Sequence, residues 1–159
     1  ETLAGENSES GTADDAAEEG SLGIFSEGDE IATKECTFLI NEHKVIQPGE
    51  EGNEYGSAPV LAIWYTTTNT SGKEMNPMTE WILLATAIQD NNPNLVNELN
   101  VASLPDRQFL DTQTATIKKD GTVQNAVAYE LSDDVTPVDI VFKNQIWGSE
   151  IGRVSIDIK

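Results

Sequence analysis

Cysteine and histidine are almost absent, with one of each among 159 residues. A single cysteine, Cys36, excludes an intrachain disulfide and the Cys-rich zinc patterns. It alternates with Phe38 and Ile40, which favours a small buried hydrophobe over a reactive thiol. His43 lies between two charged residues with no motif to supply a nucleophile or a metal partner, so we interpret it as a surface histidine.

Basic residues are also scarce: nine Lys and Arg stand against 28 Asp and Glu, giving a net charge of −19. The first 30 residues contain ten of these acids and no Lys or Arg. The electrostatic field of this negative charge repels phosphate groups. It therefore argues against nucleic-acid binding and against charge-driven attachment to an anionic membrane. No apolar run reaches the roughly 18 residues of a membrane-spanning helix.

Sequence motifs of catalysis are missing as well. The chain has no G-x-S-x-G, no H-E-x-x-H and no Gly-rich phosphate loop. Among 28 acids, spacing alone cannot single out a catalytic carboxylate pair. We therefore predict a protein that is not an enzyme and uses no cofactor, with a hydrolytic or calcium-dependent enzyme as the third alternative to the two functions given below.

The composition divides the chain into two parts. Residues 1–21 are mostly Glu, Asp, Ser, Gly, Ala and Thr, and they bury too little apolar area to offset an ordering entropy of roughly 1–2 kcal/mol per residue. We predict a flexible acidic tether over 1–21 and one β-sandwich domain over 22–159. The start at Glu1, without Met or signal peptide, suggests that a targeting segment has been removed.

A period of two in the apolar residues predicts an all-β domain, and residues 121–142 show it best. Their first half places Val123, Val127 and Tyr129 on one face. After the polar break 132–134, Val138 and Phe142 repeat the alternation. This is typical of half-buried antiparallel strands, and Asp120-Gly121 before them is a tight-turn dipeptide.

Shorter segments complete the pattern. We predict a strand from Cys36 with a bulge near Asn41-Glu42 and a central strand over 58–70. Further predictions are an edge segment 22–25, a loop 48–57, a buried strand 81–88 (or a short helix), a hairpin partner 95–101, a short strand 114–118 and a final strand through Val154, Ile156 and Ile158. Seven or eight short strands joined by polar turns indicate a two-sheet antiparallel sandwich.

Four segments in this order resemble a known family. They are HKVI (43–46), PVLAIWYTTTNTSGK (59–73), TAIQD (86–90) and above all VAYELSDDVTPVDI (127–140). Residues 22–150 resemble the DUF5067 domain of Gram-positive surface lipoproteins. The resemblance implies an immunoglobulin-like sandwich at the cell surface, held by a lipidated cysteine upstream of Glu1, and it brings no catalytic residue, cofactor or substrate. The acidic tether then acts as a spacer, and the lipid is the only expected contact with the membrane.

Two loops contain candidate metal ligands. Asp90, Asn92 and Asn94 imitate the start of a calcium loop, but Leu95 and Val101 occupy the positions that need Gly and Glu. A looser calcium site there, or at Asp133 and Asp134, is the functional alternative to turn-forming side chains that bond their own backbone.

Tryptophan supplies the only candidate binding patch. We expect Trp64 and Trp81, which lie in the most apolar runs, to be core residues. Trp147 follows Ile146 in a loop, where the pair forms a speculative binding patch or instead caps the end of the sandwich.

These observations predict an extracellular, cell-surface, monomeric module that binds a protein or a glycan. The alternative is a structural or accessory component of a cell-envelope complex.

Overall fold

The computed structural model describes residues 23–159, and these form two packed four-stranded sheets. The first sheet, in the order β1-β8-β7-β5, contains β1 (Gly23–Phe25), β5 (Ala85–Gln89), β7 (Val138–Lys143) and β8 (Glu150–Ile156). The second, in the order β2-β3-β4-β6, contains β2 (Glu30–Ala32), β3 (Cys36–Ile46), β4 (Val60–Asn69) and β6 (Thr122–Glu130). The all-β two-sheet sandwich predicted from the sequence is confirmed. The tether predicted over 1–21 lies outside the described residues.

Strand pairing is antiparallel except at one edge, where β1 runs parallel to β8. The register between β3 and β4 shifts between Ile40 and Glu42, which confirms the predicted bulge. Strand β4 lies between β3 and β6 and is buried on both faces along its first half, as its continuous apolar run predicted.

The main core lies between the sheets, and aromatic rings fill its centre. The Trp81 ring stacks on Tyr65 with 4.2 Å between centroids, and its edge or face also meets Phe38 and Phe142. Trp81 Nε1 donates a hydrogen bond of 2.7 Å to the Tyr129 hydroxyl, which satisfies both buried polar groups. The prediction that Trp81 is a core residue is therefore confirmed.

The stretch 121–142 contributes one strand to each sheet. Strand β6 pairs with β4, whereas β7 pairs with β5 and β8, so residues 131–137 cross between the sheets. The inward face of β6 also holds Asn125, whose side-chain amide donates to the Tyr65 hydroxyl at 2.9 Å. The turn before β6 is formed with Asp120 at a φ of 66° and Gly121 N–H donating to Lys118 O at 2.8 Å.

The buried strand predicted over 81–88 is wrong in its first half. Helix α1 (Pro77–Leu84) occupies it, and β5 begins at Ala85. The Asn76 side chain caps the helix by accepting from Thr79 N–H, and Pro77 starts the first turn with a fixed φ. An eight-residue apolar run could not distinguish a buried strand from a buried helix.

The strand predicted over 114–118 is also wrong. This segment is a turn followed by an irregular stretch whose Ile117 is buried and donates its N–H to Met75 O at 2.9 Å. No strand within residues 23–159 pairs with this segment.

The predicted hairpin partner 95–101 is a strap that closes both sheets on one side. Gln89 N–H donates to Asn97 O and Leu99 N–H to Ala87 O, on the edge of the first sheet. Ala102 N–H then donates to Ala128 O, on the edge of the second. We call residues 97–102 the edge strap; it satisfies backbone groups that an open edge leaves unpaired.

The two ends of the sandwich carry different loops. The hairpin end contains the β7–β8 turn (144–149) and the β2–β3 turn (33–35), joined where Lys34 N–H donates to Asn144 Oδ1 at 2.8 Å. Strand β1 also begins there, because Gly23 pairs with Gly152 near the start of β8. The loop end contains the β3–β4 loop (47–59) and the crossover 131–137.

Candidate functional site

Trp147 occupies the tip of the β7–β8 turn at the hairpin end. The turn closes with hydrogen bonds from Gly148 N–H to Gln145 O and from Asn144 N–H to Ser149 O, of 2.8 and 3.0 Å. Trp147 has a φ of 68°, in the left-handed region that is costly for residues with a Cβ, and it is 91% exposed. Ile146 beside it is half-buried. The ring therefore does not cap the sandwich, and neither burial nor turn geometry explains a tryptophan here.

Trp64 does not lie in the core between the sheets, so the prediction that it is a core residue is wrong. It lies on the outer face of β4, half-buried against a small apolar cluster outside the second sheet. Its Nε1 donates to Asp106 Oδ2 at 2.9 Å. Burial alone raises the pKa of Asp106, but the hydrogen bonds from Trp64 and Gln108 outweigh it and hold that pKa below its usual value. The contact fixes residues 104–108 across the face of the sheet.

Of the candidate metal ligands, Asp133 is the most fully engaged. Its carboxylate accepts from the Asn91 side chain at 2.8 Å and from the Thr136 N–H and hydroxyl, both at 2.7 Å. Val135 N–H donates to it as well, at 2.9 Å. These bonds hold the pKa of Asp133 well below its ordinary value, the one from Asn91 contributing most.

The other candidate ligands are spread along two loops. Asn92 Oδ1 accepts from Asn94 N–H and Leu95 N–H at 2.8 and 3.1 Å, a turn bonded to its own backbone. Asp90, Asn94 and Asp134 are exposed, and the Asp134 side chain accepts no hydrogen bond within residues 23–159. In the same part of the chain no three His, Cys, Asp or Glu side chains converge as metal ligands. A calcium site at these residues stays a prediction.

Cys36 and His43 occupy the environments predicted for them. Cys36 is fully buried, and burial raises the pKa of its thiol to about 12. His43 is partly exposed, with Nδ1 at 2.5 Å from Glu27 Oε2. The side chains of Cys36 and His43 form hydrogen bonds with Thr33 and Glu27, and not with the turn that bears Trp147.

Sequence reasoning missed a pair of acids near the hairpin end, one of them buried. Glu80 of α1 is only 2% exposed and faces Glu35 of the β2–β3 turn. Lys73 Nζ lies 2.8 Å from Glu35 and 3.4 Å from Glu80. Burial, together with the hydrogen bond to Glu35, raises the pKa of Glu80 to about 7, and the same bond lowers that of Glu35. Sequence reasoning did not single out Glu80 for two reasons. The residue precedes the apolar run instead of lying within it, and an acid in the first turn of a helix is usually exposed.

The fold places the protein among the two-sheet β-sandwich domains. A family model described as a domain of unknown function (DUF5067) matches residues 12–144, and the chain belongs to that family. The resemblance seen in the sequence is therefore confirmed.

Two solved structures share the fold. One is a presumed lipoprotein from Staphylococcus aureus subsp. aureus NCTC 8325, with 20% identity and a TM-score of 0.69 over 86% of this chain and 93% of that one. The other is the yjhA protein from Bacillus subtilis, with 11% identity and a TM-score of 0.61 over 83% of this chain and 99% of that one. No curated protein matches the sequence. From residue 23 onward, none of the helices has the length and apolar character needed to cross a membrane.

Proposed function

We propose that the protein is a non-enzymatic module displayed on the surface of a Gram-positive cell, where it binds a protein or a glycan through Trp147 and Ile146. The observation that carries this proposal is the 91% exposure of Trp147 in a left-handed backbone conformation. The fold shared with a presumed lipoprotein supports the surface location. The acidic segment ahead of the domain suits a spacer to a lipid anchor.

An exposed tryptophan on a short hairpin has the properties of a contact residue. Its ring offers a large apolar area with few rotatable bonds, so little side-chain entropy is lost on binding. Tryptophan is also enriched among the residues that dominate binding energy at interfaces. The turn is closed by two backbone hydrogen bonds, and its first residue, Asn144, is tied to the β2–β3 turn, so the ring is presented from a fixed base.

The test compares binding by the unaltered chain and by Trp147→Ala. Glycan arrays and affinity capture from envelope extracts of Gram-positive cells supply the candidate partners, and titration of each purified partner measures its affinity. We expect the substitution to weaken binding at least tenfold. Leu95→Ala is the matched control, since Leu95 is 71% exposed but lies in a loop remote from the hairpin end, and it should bind normally. Equal affinity of Trp147→Ala and the unaltered chain contradicts the proposal.

A further inference from the structure

A groove crosses the loop end of the second sheet, away from Trp147. Two adjoining cavities of about 410 and 650 Å³ form it, and they share Gly52, Glu54, Leu104 and Arg107. One wall is the β3–β4 loop (47–59) and the other is the segment 101–108, with Trp64 on the floor. The β3–β4 loop and the segment 101–108, which are distant in the sequence, therefore meet in one concave surface.

The loop wall of the groove is held by internal hydrogen bonds. The buried Asn53 side chain donates to Ile46 O at 3.0 Å and to Ala58 O at 2.9 Å, which ties both ends of the loop together. Gly52, at a φ of 96°, lies so close to the other wall that a Cβ there would stand 2.8 Å from Pro105 O. The groove is thus largely formed before any ligand arrives, as binding sites for small molecules usually are.

The groove combines an aromatic ring with hydrogen-bonding side chains. Tyr55 lines one cavity and is 94% exposed. Arg107, one of two arginines in the chain, is exposed and makes no salt bridge with any residue from 23 to 159, so its donors are open to a ligand. Glu54 and Gln108 add planar acceptor and donor groups to the lining.

Charge and backbone geometry narrow the class of ligand. The lining contains Lys44 and Arg107 against four carboxylates, from Glu51, Glu54, Asp106 and Glu130, which disfavours an anion. An extended peptide that binds by adding a strand needs a free sheet edge, and the edge strap already occupies the β6 edge beside the groove. A neutral sugar needs neither a positively charged lining nor a free sheet edge. Its ring stacks a C–H face on an aromatic ring, and its hydroxyls exchange hydrogen bonds with the lining.

We propose that this groove binds a neutral oligosaccharide, with Tyr55 as the stacking platform and Arg107 and Glu54 as partners of the sugar hydroxyls. The two cavities adjoin in one groove, which suits a chain of several sugar units. The site is independent of the Trp147 surface, which lies at the other end of the sandwich.

The test screens the full chain against neutral gluco-, manno-, galacto- and N-acetylglucosamine oligosaccharides of two to six units. NMR amide shifts locate binding, and calorimetry measures it. We expect shifts confined to residues 51–56 and 104–108. Tyr55→Ala and Arg107→Ala should each weaken binding at least tenfold, whereas Tyr55→Phe keeps the ring and should stay within threefold of the unaltered chain.

Leu95→Ala is the control, since Leu95 is an exposed apolar residue outside the groove lining, and it should bind oligosaccharides normally. Both groove side chains are exposed, so unchanged thermal midpoints in Tyr55→Ala and Arg107→Ala show that the fold is intact. The proposal is overturned if none of the oligosaccharides shifts the groove amides, or if Tyr55→Ala binds as well as the unaltered chain. Neither result bears on the role of Trp147.

Discussion

Trp147 combines two features that stability alone does not favour, an exposed ring and a left-handed backbone. For an L-residue this conformation costs roughly 1–2 kcal/mol, a cost that glycine avoids. Strained residues of this kind concentrate at functional sites, where the surrounding structure enforces them. The residue therefore links turn geometry directly to the proposed binding role.

A pair of substitutions at this position separates strain from ring contacts. Trp147→Gly and Trp147→Ala both remove the ring, but only alanine keeps the Cβ that the φ of 68° disfavours. We expect Trp147→Gly to be more stable than Trp147→Ala by about 1 kcal/mol, measured by urea unfolding followed by circular dichroism. Equal stability, or a more stable alanine variant, contradicts the assignment of strain.

The sequence could predict some of these residues and not others. The loop position of Trp147 followed from its place in a polar turn between two alternating segments, but the pattern left open whether its ring is exposed or caps the sandwich. Tyr55 and Arg107 gave no signal, because the groove joins segments some 50 residues apart and its shape depends on the close approach of Gly52 to Pro105. Trp64 was misplaced since an apolar strand buried on both faces does not reveal which face is outermost.

Among the elements, α1 shows where periodicity was insufficient. The strands that alternate over six or more residues, such as β6 and β7, were placed correctly, since a period of two has one structural solution. The run WILLATAI changes from helix to strand at Leu84, and its composition suits both. Asn76-Pro77 was the usable signal, an N-cap followed by proline at the first helical position.

The acidic pair between α1 and the β2–β3 turn predicts a pH-dependent stability. Glu80 has a pKa of about 7 in the folded protein against 4.5 for the ordinary group, so folding favours its protonated form. The stability that Glu80 contributes is fully present below about pH 4.5 and is lost as the pH rises through about 7. We expect the free energy of unfolding to fall by on the order of 2 kcal/mol across that range.

Glu80→Gln tests this assignment because glutamine keeps the shape and cannot ionise. Urea unfolding at pH 4.5, 6 and 8 should show a flatter profile for this variant and greater stability than the unaltered chain at pH 8. Glu130→Gln, a change at an exposed acid, serves as the control and should retain the slope. An identical slope in Glu80→Gln shows that another group is responsible.

At the scale of the whole molecule, the net charge of −19 opposes the compact state through self-repulsion. Salt shortens the screening length from about 30 Å at 0.01 M to about 3 Å at 1 M. We therefore expect the thermal midpoint to rise by several degrees between 10 and 500 mM NaCl, measured by calorimetry at pH 7.5. A midpoint that falls over this range would mean that ion pairs such as Lys73–Glu35 outweigh the repulsion.

The parallel pairing of β1 with β8 has a mechanical consequence. Strand β1 begins at the hairpin end, and β8 finishes at the opposite end, so the two strands leave the domain in opposite directions. A pulling force applied between Gly23 and Ile156 slides them past each other and loads all their hydrogen bonds at once. Antiparallel terminal strands would instead open one bond at a time. A domain pulled at these two points resists extension at its first strand, because β1 cannot be drawn out without breaking its pairing with β8.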